Sequence, residues 1–329
     1  MQSAKDIKRR KKSISNIGQI AKAMEVVSAT KMRRSQRIAL DTRPYVRSAM
    51  EVLKTVSQKT DPEESYFFGR NALNAQYPTI EATKKIAVLL ISTDKGLCGG
   101  LNTNVFRKTE ELLMWLSDSA ENNSSEKSPR IDFITVGKKA NEWCKRKNFN
   151  MIKSFLNFGD YAIFEETTPL SEFIIALFRE KHDAVYAVYT NFLSALQQEA
   201  IYRQILPLKE ERLKEIIAGI VPTYGRFAGD GSPISNLEAE FPPNFKWNFE
   251  YKFEPNIKIV LEHLLQTFVQ IMIYYIILES NASEHSARRM AMKNARDNAE
   301  NILKELNLSY NKARQAAITQ EISEIARGL

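Results

Sequence analysis

Glycine and proline are almost missing from both ends of this sequence of 329 residues. Of the 12 glycines and 11 prolines, only Gly18, Pro44 and Gly328 lie outside the stretch from Pro62 to Pro255. Residues 256–327 contain neither type. Both residues disfavour helix interiors, so their absence excludes a loop-rich structure at the two ends and predicts a long helix at each.

Cysteine and uninterrupted apolar runs are also scarce. Cys98 and Cys144 are too few for a disulfide framework, which indicates a reducing compartment. The basic start is not followed by an apolar run, so we expect no secretory signal. Residues 260–278 have the length of a membrane span, but Glu262 and His263 are among the polar residues that interrupt them. We therefore expect a buried helix there.

Motifs for catalysis or metal binding are missing. His182, His263 and His285 have no Cys or His companions at ligand spacing, and no G-x-S-x-G occurs. The loop STDKGLCGGLNTN (Ser92–Asn104) follows an apolar run, where α/β proteins place phosphate-binding loops, yet its glycines match neither nucleotide fingerprint. A tight turn is the favoured interpretation, with nucleotide binding as the alternative. We expect no catalytic residue, cofactor or metal.

Positive charge is concentrated at the N-terminus. The net charge is +8, and residues 1–37 hold eleven Lys or Arg against Asp6 and Glu25. A basic helical segment can bind nucleic acid, anionic lipid or an acidic protein, or it can be a solvated helix face. Composition alone leaves these alternatives open.

The two ends carry matching apolar stripes at steps of three, four or seven residues, which is typical of a coiled-coil seam. At the N-terminus the stripe is Ile7, Ile14, Ile17, Ala21 and Met24; at the C-terminus it is Ala291, Ala295, Ala299, Ile302, Leu306, Tyr310, Ala313 and Ala317. Two such helices bury their stripes most simply together, which predicts an antiparallel coiled coil.

The middle of the chain is typical of an α/β domain. The apolar runs Lys84–Thr93, Ile131–Gly137 and Asp183–Phe192 alternate with helical patterns, which predicts a mainly parallel, Rossmann-like sheet. QEAIYRQILPL and KWNFEYKFEP look like further strands, antiparallel at an edge. We predict a coiled-coil helix over 1–58, an α/β domain over 59–254 with an insertion around 209–244, and a coiled-coil helix over 255–329.

Three stretches of the sequence resemble one family. They are IAKAMEVVSATKMRRSQ (Ile20–Gln36) followed by RPY, STDKGLCGGLNTNVF (Ser92–Phe106), and ASEHSARRMAMKNARDNAENILKELNLSYNKARQAAITQEISEIARG, which begins at Ala282. These stretches are similar to the gamma subunits of the rotary F-type ATP synthases. The order of the elements between them fits the same family.

The resemblance implies a central stalk that rotates inside a ring of three alpha and three beta subunits. It couples transmembrane proton flow to ATP synthesis or hydrolysis at the beta subunits and has no catalytic group or nucleotide of its own. The implied partners are alpha, beta, the epsilon subunit and the c-subunit ring, with no nucleic acid. Membrane association would be indirect, at the cytoplasmic face of a bacterial plasma membrane or the matching face of an organelle inner membrane.

The resemblance also implies contact residues. Met24, Arg288, Gln315 and Thr319 occupy positions at which gamma subunits touch the alpha/beta ring. Further ring contacts are expected at five other positions: Arg33, Arg34, Asp94, Lys95 and Glu321.

Two other classes of protein remain as alternatives from the residues alone. A coiled-coil nucleic-acid binder would explain the basic N-terminus, although no dimeric basic-region layout is visible. A small α/β enzyme would explain the middle but leaves both long helices without a role. Salt-dependent DNA binding would support the first alternative, and nucleotide-dependent thermal stabilisation the second.

Overall fold

The structure is a computed structural model that describes residues 4–57, 66–68, 85–121, 129–180, 182–208, 254 and 256–328. The predicted insertion around 209–244 and the predicted strand KWNFEYKFEP lie outside these described residues, apart from Glu254. The predicted domain boundaries stay a prediction.

Five helices are described. They are α1 (Ala4–Ser57), α2 (Leu101–Glu121), α3 (Lys138–Arg146), α4 (Phe164–Glu180) and α5 (Ile257–Arg327), with a single 3-10 turn at Tyr66–Phe68. The long helices predicted at both ends are confirmed, with 54 residues in α1 and 71 in α5. The side chain of Asn256 caps α5 by accepting a hydrogen bond from the Ile259 amide at 2.8 Å.

The strands form one five-stranded sheet in the order β3-β2-β1-β4-β5. They are β1 (Lys85–Ile91), β2 (Arg130–Val136), β3 (Met151–Phe155), β4 (Ala184–Phe192) and β5 (Gln198–Leu206). The first four strands pair in parallel, and β5 pairs antiparallel with β4 at the edge. The predicted α/β fold with a mainly parallel sheet is confirmed. Strand β3, which carries no apolar run, was missed by the sequence analysis.

Helices cover both faces of this sheet, as a parallel sheet requires. Ile86, Val88 and Leu90 of β1 face a core cluster that contains residues of α2 and α3, whereas the alternate residues of β1 face a second cluster that contains residues of α4 and α5. The first half of α5 is part of that second cluster, since Leu265, Val269 and other residues of the 260–278 stretch are buried in it.

By length and composition, α5 is the one described helix that could cross a membrane. Its apolar half is packed in the core of the α/β fold instead, as the sequence analysis predicted.

The chain divides into two compact units. The shaft unit comprises Met1–Thr30, Leu97–Gly99 and His285–Leu329, and the α/β unit comprises Lys31–Gly96 and Gly100–Glu284.

Candidate functional site

The N-terminal helix of the shaft unit has one covered stripe. Its members are spaced alternately by four and three residues, which is the heptad repeat of a coiled coil. They are Ile7, Lys11, Ile14, Gly18, Ala21, Glu25 and Ser28, all buried or half-buried. The apolar pattern of the sequence predicts Ile17 for this stripe, which is wrong: Ile17 is 51% exposed, and Gly18 holds the seam position.

The C-terminal helix has a matching stripe. Its buried or half-buried members are Arg288, Met292, Ala295, Ala299, Leu303, Leu306, Tyr310 and Ala313. Two predicted members are wrong, because Ile302 is 37% exposed and Ala317 is exposed. Ile302 and Leu303 are adjacent apolar residues, so either of them satisfies a step of three or four along the sequence.

Two contacts fix the direction of the helix pair. A Cβ atom built on Gly18 would lie 3.4 Å from the Cβ atom of Ala299, so the two backbones approach closely there. Seven residues later in α1, Glu25 pairs with Arg296, which precedes Ala299 in α5. Because the residue numbers rise along α1 from Gly18 to Glu25 while those of the partners fall along α5 from Ala299 to Arg296, the helices are antiparallel, as predicted.

The ion pair between Glu25 and Arg296 was missed by the sequence analysis. Arg296 Nη1 donates to Glu25 Oε2 at 2.5 Å, while its Nε and Nη2 atoms both donate to Asp297 Oδ1, at 3.1 and 2.8 Å. The hydrogen bond to Asp297 raises the pKa of Arg296, burial lowers it, and the charges of Asp297, Glu25 and Glu300 raise it further. The signal that could have found this pair is opposite charge on two helices already expected to share a seam.

The end of α5 has a different character from the rest of the shaft unit. Every residue from 314 to 320 is exposed. Ile318, Ile322 and Ile325 are 46%, 60% and 67% exposed, and their spacing of four and three residues places them on one face. This tip, defined as residues 314–328, therefore presents an apolar stripe that the described part of the chain does not cover.

The predicted ring-contact residues of the shaft unit have different environments. Met24 is half-buried, and Arg288 is only 7% exposed. Gln315 and Thr319 are exposed and lie one turn apart, with the Thr319 hydroxyl donating to the Gln315 carbonyl at 2.9 Å. Glu321 lies in the same helix, and its side chain is outside the described set.

Two predicted contact residues of α1 fall in the α/β unit. Arg33 is exposed, whereas the Arg34 guanidinium lies 4.3 Å from the centre of the Tyr161 ring. Lys31, one turn earlier, forms an ion pair with Asp160. The segment between β3 and α4 thus contacts α1 at two successive turns through Asp160 and Tyr161.

The remaining predicted contacts, Asp94 and Lys95, belong to the loop after β1. Asp94 Oδ1 accepts a hydrogen bond from the Lys138 amide at 3.0 Å, and Ser92 Oγ accepts one from the Ala140 amide at 2.6 Å. Both bonds satisfy amides in the first turn of α3, which have no partner within a helix. Lys95 is exposed. This is the behaviour expected of a structural turn, the favoured interpretation of this loop.

Two carboxyl groups are buried among the described residues of the α/β unit. Burial raises the pKa of Glu279 to about 8, although the charge of Arg203 and the hydroxyls of Tyr275 and Tyr189 oppose it. Asp132 Oδ1 accepts a hydrogen bond from Asn150 Nδ2 at 2.5 Å, and Asp132 Oδ2 lies 3.0 Å from His182 Nε2. Burial would raise the pKa of Asp132, but these two partners and the charge of Arg130 together lower it.

Within the described ranges, no cluster of three or more His, Cys, Asp or Glu is placed to hold a metal ion. His182 is instead buried beside Asp132.

Comparison with solved structures finds chains that have the same fold as this one. One similar chain belongs to the Euglena gracilis mitochondrial ATP synthase, OSCP/F1/c-ring, rotational state 3, with a TM-score of 0.59 and 19% sequence identity. The match covers 99% of this chain and 93% of that one. A second, from the rotor of the same complex in rotational state 1, has a TM-score of 0.56 at 20% identity and covers 96% of this chain and 98% of that one.

Comparison of sequences identifies the family. A family profile described as ATP synthase matches residues 3–329. The ATP synthase gamma chain of Stenotrophomonas maltophilia is 34% identical over 331 residues, covering 100% of this chain and 99% of the relative. The ATP synthase gamma chain of Burkholderia lata is 33% identical over 329 residues with the same coverage. This chain therefore belongs to the ATP synthase gamma chain family.

Proposed function

We propose that this chain is the central stalk of an F-type ATP synthase and carries no catalytic group of its own. It rotates inside a ring of three alpha and three beta subunits. That rotation couples transmembrane proton flow to ATP synthesis, or to hydrolysis, at sites on the beta subunits. Family membership supports the assignment, and the exposed tip of α5 is the structural observation that carries it.

The tip has features that suit a surrounding sleeve. A helix of this composition, rich in alanine with isoleucines on one face, gains little from exposure to water. Its fifteen residues span roughly 22 Å at about 1.5 Å per residue. A single helix with one apolar face can be covered by a surrounding ring of subunits. The ring would supply the burial that the chain does not.

The mechanism follows from the lack of symmetry in the stalk. A single helix pair inside a ring with pseudo-threefold symmetry presents a different face to each beta subunit. The three catalytic sites then differ in nucleotide affinity, since each conformation is stabilised by different contacts. Rotation exchanges these contacts, and by thermodynamic linkage the binding changes at the sites drive rotation in return.

The ring contacts are assigned to the shaft unit first. Gln315 and Thr319 are the leading residues, because both are exposed and both lie on the tip. Met24 and Arg288 are assigned by similarity to the family, together with Glu321. In the α/β unit, the further ring contacts are Arg33, Arg34, Asp94 and Lys95. Of these, Arg33, Arg34 and Lys95 are exposed and Asp94 is half-buried.

The α/β unit would meet the epsilon subunit and the c-subunit ring. Through the c ring, the chain would be a peripheral protein on the cytoplasmic face of a bacterial plasma membrane, or on the matching face of an organelle inner membrane. Its basic N-terminus would face acidic surfaces of the alpha/beta ring, since opposite charges favour association.

Reconstitution tests this proposal. The chain is mixed with its cognate alpha and beta subunits, the product is sized, and ATP hydrolysis is measured with and without the chain. Amide hydrogen exchange is then compared between the free chain and the complex. We expect one chain for three alpha and three beta subunits, hydrolysis that depends on it, and slower exchange in peptides from the tip.

Peptides from strand β1 serve as the control, because this strand is already buried and its exchange should not change. Failure of alpha and beta subunits that are themselves folded to bind the chain would refute the proposal. Assembly without slower exchange in residues 314–328 would refute the placement of the tip.

A further inference from the structure

The seam of the shaft unit contains a charged cluster where a coiled coil normally has apolar side chains. It consists of Glu25 on α1 and of Arg296 and Asp297 on α5. The side chains of Glu25 and Arg296 are only 16% and 26% exposed. The guanidinium is held on both sides: two of its nitrogens bind Asp297 on its own helix, and the third binds Glu25 across the seam.

The seam positions on the Gly18 side of this cluster are small. Gly18 and Ala21 on α1, with Ala295 and Ala299 on α5, allow the 3.4 Å approach at Gly18. Small residues permit close packing but provide no large side chains to insert between those of the other helix. Along this stretch, apolar packing alone therefore resists turning of one helix about the other only weakly.

An arginine–carboxylate pair supplies the resistance to turning that apolar packing does not provide along this stretch. The planar guanidinium directs its donors at fixed angles, so its hydrogen bonds are satisfied in one orientation of the two helices and lost in others. The hydrogen bonds to Asp297 restrict the conformations of the Arg296 side chain, so this side chain is already oriented when it binds Glu25. Fixing the register of two helices is also the best-attested role of polar groups buried in an apolar seam.

We propose that Glu25 and Arg296 form an orientation lock, a pair of positioning residues that keeps α1 and α5 in one facing orientation while the shaft carries torque. The inference rests on the proposed function for its purpose, because only a rotating shaft bears such a load. The lock itself is a property of the chain and can be tested separately.

A disulfide reporter tests the lock directly. The substitutions Gly18→Cys and Ala299→Cys place two Cβ atoms about 3.4 Å apart, close to the ~3.5–4.5 Å found in disulfides. The rate of disulfide formation under a fixed mild oxidant then reports how often the two helices face each other correctly. The linked peptides are identified by mass, which separates them from products of the buried Cys98 and Cys144.

The rate is compared in the reporter chain and in the same chain carrying Arg296→Gln. We expect the substitution to slow disulfide formation about fivefold, the factor that corresponds to loss of a typical ion pair. Lys293→Gln is the matched control, since Lys293 carries the same charge one turn away on the exposed face of α5. The control should leave the rate unchanged. Equal rates in the Arg296→Gln chain and its parent would overturn the lock.

Arg296→Lys provides a second variant if Arg296→Gln does not fold. It keeps the charge but loses the paired donors, and we expect about a twofold slower rate; an unchanged rate would overturn the lock.

A second readout separates positioning from stability. In the reconstituted complex, the angular fluctuation of a stalled shaft should widen in Arg296→Gln while ATP hydrolysis per assembled complex stays unchanged. An unchanged fluctuation would overturn the mechanical role. If the parent chain does not assemble with alpha and beta subunits, the proposed function fails, and the disulfide rates of the full chain alone still decide the lock.

Discussion

The close approach at Gly18 leads to a quantitative prediction about the shaft. Substitution by alanine adds a Cβ atom at 3.4 Å from that of Ala299, which is near the limit of ordinary contact. The helix meanwhile gains about 0.8–1.0 kcal/mol from replacing a glycine in its interior. We therefore expect Gly18→Ala to leave the helix pair as stable as the parent or more stable by up to about 1 kcal/mol.

Gly18→Leu gives the opposite result. Leucine has nearly the same helix propensity as alanine, so the comparison between the two variants isolates packing. Its three additional carbons extend from a Cβ atom that would already lie 3.4 Å from that of Ala299, and overpacking of a close contact costs about 1–3 kcal/mol. Relative to Gly18→Ala, the leucine variant should open locally about 5 to 140 times more often, because each 1.4 kcal/mol is a factor of ten.

The assay is amide hydrogen exchange of the full chain, followed in peptides from residues 4–30, because exchange reports local opening free energies. Ile17→Ala is the control, since Ile17 is exposed one residue away, and its variant should exchange within about twofold of the parent. If the Gly18→Leu and Gly18→Ala chains exchange at equal rates, the helices do not approach at this point, and the seam is assigned incorrectly.

Three further predictions concern buried groups of the α/β unit. Asp132→Asn should lower the free energy of unfolding by about 1–3 kcal/mol at pH 7. In urea titrations this difference should vanish as the pH falls through the lowered pKa of Asp132, because the partners of Asp132 stabilise only its ionised carboxylate. A difference that persists in acid would contradict the account. The pKa of Glu279 is raised from 4.5 to about 8, so the free energy of unfolding of the parent should fall as the pH rises between these values. The Glu279→Gln variant should lack that slope. Parallel pH curves for the two chains would contradict the burial of this carboxyl group. Burial raises the pKa of Cys144 to about 12, so iodoacetamide at pH 8 should modify this thiol only after the chain unfolds. Mass spectrometry checks this, and labelling of the folded chain would disprove the burial of Cys144.

The architecture could be predicted from the sequence because the patterns that mark its helices and most of its strands extend over many residues. The near absence of glycine and proline from both ends predicted α1 and α5, and the apolar runs predicted β1, β2 and β4. Strand β3 was missed because its five residues include Ile152 and Lys153, which are exposed at the sheet edge, so no apolar run marks it. Edge strands have only one paired neighbour and need fewer apolar residues.

The details of the shaft were less predictable. An apolar pattern selects Ile17 and passes over Gly18, yet close packing of two backbones favours the residue without a side chain. The pairing of Glu25 with Arg296 joins residues 271 positions apart, and only the register of the two helices decides it. The apolar pattern also extends the seam too far along α5, because Ala317, which it includes, is exposed.

Direct observation of rotation tests the central claim most directly. The alpha/beta ring is fixed to a surface, and a gold rod is attached through Leu196→Cys, at a position that is 76% exposed in the turn between β4 and β5. The account predicts that the rod turns in one direction when ATP is added and stops when ATP is removed. A ring that hydrolyses ATP at its full rate while the attached rod stays still would contradict the account.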